Sequence, residues 1–156
     1  MNSRWDFASV PLRLMLGLGF VYHGYPKVFD AAERSTFTGM LQGIGMPAPG
    51  LMSWVVGLLE VFGGLALIVG AFVVVISILG IIEMLVAMFT VHWPHGFNFI
   101  NMTMTPEGPT FGMPGIEVNL LYTAGFLGLA LAGAGALSID RMLAGRKSAA
   151  EARSPT

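Results

Sequence analysis

Two acidic residues stand alone in long apolar stretches of the chain. Glu60 interrupts the sequence GLLEVFGGLALIVG (57–70), and Glu83 has apolar residues on both sides. A carboxyl group in such surroundings can keep its proton at neutral pH and exchange it, or it can pair with a buried cation. Arg13, in the first apolar stretch, is the cation that we expect to reach these acids. The same three residues would also suit a structural network that fixes the register of neighbouring helices.

The histidines of the chain raise the question of a haem or a metal. His23 and His92 fall in different apolar stretches, and two imidazoles can ligate a b-type haem. The segment HWPH (92–95), followed by MTM and Met113, offers the soft ligands that copper prefers. We expect neither haem nor copper and predict no metal site. Histidines near the membrane interface commonly just hydrogen-bond a loop, and the 11 methionines of the chain mostly fill apolar gaps.

Other chemistries have no support in the sequence. The chain has no cysteine, which excludes disulfides and Fe–S ligation by this chain. No Ser-His-Asp order, zinc-type HExxH or phosphate-binding glycine loop is present. The formal net charge of −1 indicates no nucleic-acid partner.

The elements that carry these residues are predicted to be transmembrane helices. The chain has 156 residues, of which 54% are hydrophobic and 11% charged, and its mean hydropathy is +0.72. A membrane core about 30 Å thick needs ~20 apolar residues per helix. We predict an all-α integral membrane four-helix bundle with antiparallel up-down topology in residues 1–140, with spans at 9–28, 51–71, 72–92 and 117–137. Residues 141–156 are predicted to be a polar cytoplasmic tail.

Charge asymmetry gives an orientation for these spans. An even number of spans places both termini on one side, which then collects most of the basic residues of the chain: Arg4, Arg141, Arg146, Lys147 and Arg153. The positive-inside rule therefore predicts cytoplasmic termini in a bacterial-type inner membrane. The first span lacks a basic leader and a cleavage site, so we expect it to stay in the mature protein. The segments 29–50 and 93–115 are expected to be outer loops.

Helix geometry then places the polar residues relative to one another. At about 1.5 Å per residue, Glu60 and Glu83 share one depth on adjacent antiparallel helices. Glu60 lies on the same helix face as Gly57 and Gly64, which predicts that it faces a neighbouring helix rather than lipid. A carboxylate that faced lipid would cost several kcal/mol. The remaining polar residues, His23, His92 and Glu117, are predicted near the outer mouth.

The order and spacing of several segments resemble the DoxX family of small four-helix membrane proteins. These segments span almost the whole chain: LRLMLGLGFVYHGYPKVF (12–29), GLLEVFGGLALIVG (57–70), HWPHGF (92–97), GIEVNLLY (115–122) and GAGALSIDRML (133–143). By this resemblance, the polar positions that recur in the family correspond to six residues of this chain: Arg13, His23, Lys27, Glu60, His92 and Glu117. Glu83 has no matching position, and the outer loop 98–114 is longer than the family's usual form.

The resemblance implies a redox-linked membrane subunit. DoxX-like proteins include a small part of a thiosulfate:quinone oxidoreductase and a member of a membrane oxidative-stress complex. On this hypothesis a quinone binds between the helices, with Glu60, His23 and His92 as the catalytic proton donors or acceptors. Arg13, Glu83 and Glu117 are then the candidate cofactor-binding residues.

Two other functions remain open at this point. Because the sequence shows no electron carrier, a redox subunit would need a membrane or peripheral protein partner to supply electrons. The partner expectation for the chain is such a subunit or a homo-oligomer. The chain would alternatively be a non-catalytic accessory or assembly subunit of a larger membrane complex, with the 98–114 loop as a docking surface. Four short helices would form a small-solute transporter or channel only as an oligomer.

Overall fold

The computed structural model describes residues 4–151, and most of them are helical. A 3-10 turn (Arg4–Phe7) precedes the first helix, α1 (Ser9–Phe29). The later elements in chain order are α2 (Ala31–Gly43), α3 (Pro49–Val69), α4 (Val73–His95), β1 (Met102–Thr105), β2 (Gly108–Phe111), α5 (Glu117–Ala132) and α6 (Ile139–Glu151).

Two of these helices are long and apolar enough to cross a membrane, namely α3 with 21 residues and α4 with 23. Helix α5 is also apolar but has 16 residues, and the 21-residue α1 carries Arg13 and Lys27. Many large apolar side chains of these helices, such as Phe62, Phe89 and Leu131, lie on the outside of the molecule. An apolar surface of this extent is typical of one that faces lipid or another protein.

Glycines let α1 and α3 approach until their backbones touch. A Cβ atom at Gly17 would lie 2.7 Å from the carbonyl oxygen of Gly64, and one at Gly64 would lie 2.6 Å from that of Gly17. Two turns along α1, a Cβ atom at Gly24 would lie 2.6 Å from the Cβ of Glu60. The predicted close helix packing on the Glu60 face is therefore present, and it fixes Glu60 against α1.

Four helices, α1, α3, α4 and α5, contribute to the main apolar core. Its buried members are Leu16, Phe20, Leu67, Val73, Phe126 and Leu129. The ring of Phe126 lies edge-on to Phe20 with centroids 4.8 Å apart. It also occupies the space where a side chain at Gly80 would stand, since a Cβ atom there would lie 2.7 Å from the ring. Phe126 therefore packs α5 against both α1 and α4.

The segment 29–50, expected to be a loop, contains helix α2. The carboxylate of Asp30 accepts hydrogen bonds from the backbone N–H groups of Ala32 (2.8 Å) and Glu33 (3.3 Å), which caps the start of the helix. Leu41 is buried, and α2 packs against α1 and α3. The prediction of a loop at 29–50 was wrong because α2 is only weakly apolar and is stabilised by this one-sided packing.

The described residues are mostly helical, with one short β-hairpin in the loop after α4. Strands β1 and β2 are antiparallel, with Met102 opposite Phe111 and Thr105 opposite Gly108. Pro106 and Glu107 form the two-residue turn between the strands. The alternation in MTMT and the Pro-Glu-Gly turn are typical of a hairpin. The hairpin was not predicted from the sequence, because this segment was expected to be only a loop between two helical spans.

The chain after α5 folds back onto the ends of other helices. Helix α5 ends at Ala132, before the predicted residue 137, because Gly133 and Gly135 adopt positive φ values. The carboxylate of Asp140 then accepts hydrogen bonds from the N–H groups of Phe72 (2.8 Å) and Val73 (3.0 Å), so it caps the start of α4. The predicted tail forms α6 up to residue 151, and Arg153 lies outside the described residues.

Candidate functional site: a buried lysine–carboxyl cluster

The centre of the candidate site is an ion pair between α1 and α3. The Nζ atom of Lys27 donates to both carboxylate oxygens of Glu60, each at 2.6 Å. The Lys27 side chain is 19% exposed and that of Glu60 is 5% exposed. A bidentate pair this close and this well shielded from solvent is held by strong electrostatic attraction.

Glu83 of α4 brings a second carboxyl group to the same place. Its side chain interacts electrostatically with those of Glu60 and Lys27. The Oε2 atom of Glu83 is buried and has no hydrogen-bond partner among the described residues. Two carboxylates close together in a buried site repel each other, and the nearby ammonium group of Lys27 offsets this repulsion.

Local helix geometry positions Glu60 for this contact. The residues Leu59–Gly63 form a π-helical turn inside α3, and Glu60 lies in it. A π turn inserts one extra residue into the helical repeat and is frequent at functional sites. A second π turn, Met88–His92, lies in α4 on the C-terminal side of Glu83. No periodicity in the sequence predicts these two π turns.

Helix α2 covers the cluster from the outer end. The ammonium group of Lys27 lies 4.5 Å from the centroid of the Phe37 ring, a cation–π contact. The guanidinium of Arg34 donates to the carbonyl oxygens of Val28 (3.0 Å) and Lys27 (3.4 Å) and so caps the end of α1. Arg34 also lies over the ring of Trp54, at 4.2 Å from the ring centroid. Helix α2, which was not predicted from the sequence, therefore shields the Lys27–Glu60 ion pair.

A surface groove of about 880 Å³ lies beside the cluster, between α1 and α5. Its polar lining comes from His23 and three tyrosines, Tyr22, Tyr25 and Tyr122, and the rest of the lining is mainly apolar. Gly19, His23 and Lys27 follow one another at four-residue intervals, so they form one stripe along α1. The hydroxyl of Tyr122 packs against Gly19, and Tyr122 interacts electrostatically with Glu60. The stripe therefore leads from the groove to the ion pair.

Arg13 does not join the acids as predicted. Its side chain is 1% exposed and lies at the opposite end of α1, where its Nη2 atom donates to the carbonyl oxygens of Ala136 (2.9 Å) and Leu137 (3.3 Å). Its nearby charged partner is Asp140. The reason is distance: Arg13 and Lys27 are 14 residues apart on α1, which is about 21 Å along the helix axis. Lys27 is the cation of the cluster instead.

His92 and Glu117 also lie away from the cluster and hold the outer loop in place. The Nδ1 atom of His92 is 2.8 Å from the carbonyl oxygen of Pro114. The carboxylate of Glu117 accepts a hydrogen bond of 3.0 Å from the N–H of Phe99. Of the six predicted site residues, the structure thus brings together Glu60 and Glu83, places His23 in the adjacent groove, and separates Arg13, His92 and Glu117 from them.

No group of three or more potential metal-ligating side chains occurs within residues 4–151. The residues of the site that were missed are Lys27 and Phe37. Lys27 was among the positions carried over from the family resemblance, but it was not predicted to lie with the two acids. The Asp30–Glu33 capping pattern would have located α2 and therefore Phe37.

These features define a class of protein: an α-helical membrane protein with a lysine and two carboxyl groups buried between its helices. The family comparison gives the same class. The chain belongs to the DoxX family, whose model matches residues 8–93, and this confirms the resemblance found in the sequence. The matched region contains Lys27, Glu60 and Glu83, whereas Glu117 lies beyond it.

The chain is also similar to the inner membrane protein YqjF of Escherichia coli (strain K12). The two are 29% identical over 145 residues, which cover 92% of this chain and 97% of YqjF. No solved structure matches the chain significantly. Together, the family, this relative and the apolar helices identify a membrane protein.

Proposed function

We propose that this chain is a quinone-linked redox subunit of the inner membrane, in which the groove beside His23 receives the head group of a lipid-soluble quinone. The observation that carries the proposal is that His23, which lines the groove, lies four residues before Lys27 on the same side of α1, and Lys27 is paired with the buried Glu60. The groove lies on the apolar outer surface of α1, next to the exposed side chains of Met15 and Leu18. A ligand with a polar ring and an isoprenoid tail fits such a groove.

The residues of this site are suited to binding and proton exchange. A bound quinone would supply the electron-accepting ring, and its reduction requires protons. His23 and Tyr122 are the groups that line the groove and can hydrogen-bond ring oxygens. Glu60 and Glu83 supply carboxyl groups for proton exchange, and Lys27 pairs with Glu60. Electrons would come from a protein partner, because the chain has no cysteine and, within the described residues, no metal-binding cluster.

The proposal includes a four-helix transmembrane bundle of α1, α3, α4 and α5 with both termini in the cytoplasm. At one end of the molecule, Arg141 forms an ion pair of 3.2 Å with Asp6, and Asp140 caps α4. The segments before α1 and after α5 thus meet each other and the α3–α4 turn at one end of the molecule, where Arg13 and Arg141 also lie. The positive-inside rule supports this end as the cytoplasmic one.

The direct test is the quinone content of the protein after mild extraction from its native membrane. We expect quinone, measured by liquid chromatography and mass spectrometry, to co-purify with the parent protein and to be lost in Glu60→Gln and His23→Ala. Glu117→Gln is the matched control, since this acid lies outside the cluster. A parent protein that retains no quinone above the level of bulk lipid would contradict the proposal.

The second candidate function is an accessory or assembly subunit of a larger membrane complex. The observation that favours it is that several buried polar residues have structural partners, as Arg13 does with the Ala136 carbonyl and Asp140 with α4. In this case Glu60→Gln would lower the stability of the complex and leave its turnover intact. In the redox function the same substitution would remove turnover from an intact complex.

A further inference from the structure

The β-hairpin of the outer loop has one apolar face and one polar face. Cross-strand partners in an antiparallel pair point to the same side, and side chains alternate along each strand. Met102 and Phe111 are partners, as are Met104 and Pro109, so these four residues share one face. The partners Thr103 and Thr110 lie on the other face.

Nothing within residues 4–151 covers the apolar face. Met104 and Phe111 are each 71% exposed, and Met102 is 52% exposed. Pro109 is also exposed. The hairpin is nevertheless well ordered by hydrogen bonds, because the side chain of Thr105 donates to the Gly108 carbonyl oxygen at 2.8 Å and that of Thr110 donates to Thr103 at 3.2 Å. A rigid hairpin therefore presents a small apolar surface outside the helices.

The base of the hairpin is fixed at the ends of α4 and α5. The N–H groups of Gly115, Ile116 and Glu117 donate to the carbonyl oxygens of Asn98, Gly96 and Phe97 at 2.9–3.0 Å. The side chain of Asn101 then donates to the carbonyl oxygens of His95 (2.9 Å) and Met113 (2.7 Å). Each strand has four residues and is about 13 Å long, so the whole hairpin stays close to the membrane surface at which these helices end.

The surrounding residues continue the apolar face into the lipid-facing surface. In the last turn of α4 and between α4 and the hairpin, large apolar side chains are again exposed: Trp93, Phe97, Phe99 and Ile100. Segment 93–111 has one acidic residue, Glu107 at the hairpin turn, and no lysine or arginine. Aromatic and apolar residues without basic charge are suited to the interface between head groups and acyl chains.

We propose that the face formed by Met102, Met104, Pro109 and Phe111 docks into the outer-leaflet interface of the lipid bilayer. The hairpin would then lie along the membrane with its threonine face toward water. This inference does not depend on quinone binding. In this arrangement, loop 98–114 contacts lipid. The contact would hold the outer ends of the helices in a fixed position relative to the membrane.

The test uses spin labels at single cysteines, for which the cysteine-free chain is a clean background. Met104→Cys and Thr103→Cys place the label on opposite faces of β1, and the full-length variants are reconstituted into phosphatidylcholine–phosphatidylglycerol liposomes. Accessibility to oxygen, which concentrates in lipid, is compared with accessibility to a water-soluble nickel chelate. We expect the oxygen-to-nickel ratio to be several-fold higher at position 104 than at position 103.

Each other outcome would overturn the proposal. Equal and high accessibility to the nickel chelate at both positions would place the hairpin in water. Protection of position 104 from both reagents would indicate a protein contact, and its loss on dilution of the protein in lipid would identify a second copy of the chain. Circular dichroism of the labelled variants checks that the helices have formed.

Discussion

Lys27 of α1 donates to both carboxylate oxygens of Glu60 of α3 at 2.6 Å, and this ion pair joins two helices whose backbones are in contact at Gly24. Glu83 adds a third charged or protonated group from α4. Three helices are thereby connected by one cluster, which makes its members the most informative positions for substitution.

Removal of the cation should destabilise the protein. In Lys27→Met the two carboxyl groups keep their burial and lose their counter-charge, which we expect to lower the free energy of unfolding by roughly 3 kcal/mol. Thermal unfolding in detergent, followed by tryptophan fluorescence, measures the change. The double variant Lys27→Met/Glu60→Gln should regain part of the loss, because it removes the unpaired charge. Equal stability of Lys27→Met and the parent would show that the ion pair contributes nothing.

The close contact at Gly24 predicts a large effect for one methyl group. In Gly24→Ala the new Cβ would lie 2.6 Å from the Cβ of Glu60 and 2.8 Å from the backbone nitrogen of Val61, so α1 and α3 must separate. We expect a loss of about 1–3 kcal/mol in unfolding experiments. Gly39→Ala in α2 is the matched control, since no atom lies within 4 Å of its new Cβ. Its stability should be unchanged or higher by up to about 1 kcal/mol.

Asp140 should contribute to stability as a cap of a distant helix. Asp140→Ala removes the acceptors for the N–H groups of Phe72 and Val73 and also the charge near Arg13, so we expect a loss of about 1–2 kcal/mol. Asp140→Asn keeps one acceptor oxygen and should lose less. The same thermal assay applies, with Glu107→Ala at the exposed hairpin turn as the carboxyl control. A larger loss in the control would be inconsistent with the capping role.

His92 is expected to anchor the outer loop without taking part in quinone binding. His92→Ala removes the contact with the Pro114 carbonyl, and we expect faster proteolysis within residues 96–116 and a stability loss of about 1 kcal/mol. His95→Ala, whose side chain is exposed, should leave the cleavage rate unchanged. Loss of bound quinone in His92→Ala with an intact loop would instead support the catalytic role predicted from the sequence.

The proposed orientation can be tested by labelling single cysteines in whole cells. A membrane-impermeant maleimide should reach Glu107→Cys on the outer side, and it should reach Gly145→Cys only after the membrane is broken. Both positions are open, because Glu107 is exposed and no atom lies within 4 Å of a Cβ at Gly145. The reverse pattern would place the termini outside.

The sequence alone determined the membrane class, the family and the shared depth of Glu60 and Glu83 along adjacent helices. These conclusions follow from local properties, because long apolar runs need lipid and a helix rises by a constant amount per residue. The glycines on the Glu60 face also predicted a close helix contact, and the structure shows one with α1.

Only the tertiary structure decided which cation pairs with the acids. Arg13 and Lys27 are both basic residues of α1, and the choice depends on the alignment of α1 with α3, which close packing at Gly17, Gly24 and Gly64 sets. The same alignment places the Arg13 side chain next to the carbonyl oxygen of Ala136. The π turn at Glu60 and the cover by Phe37 likewise arise from packing between helices, and no local pattern in the sequence contains that information.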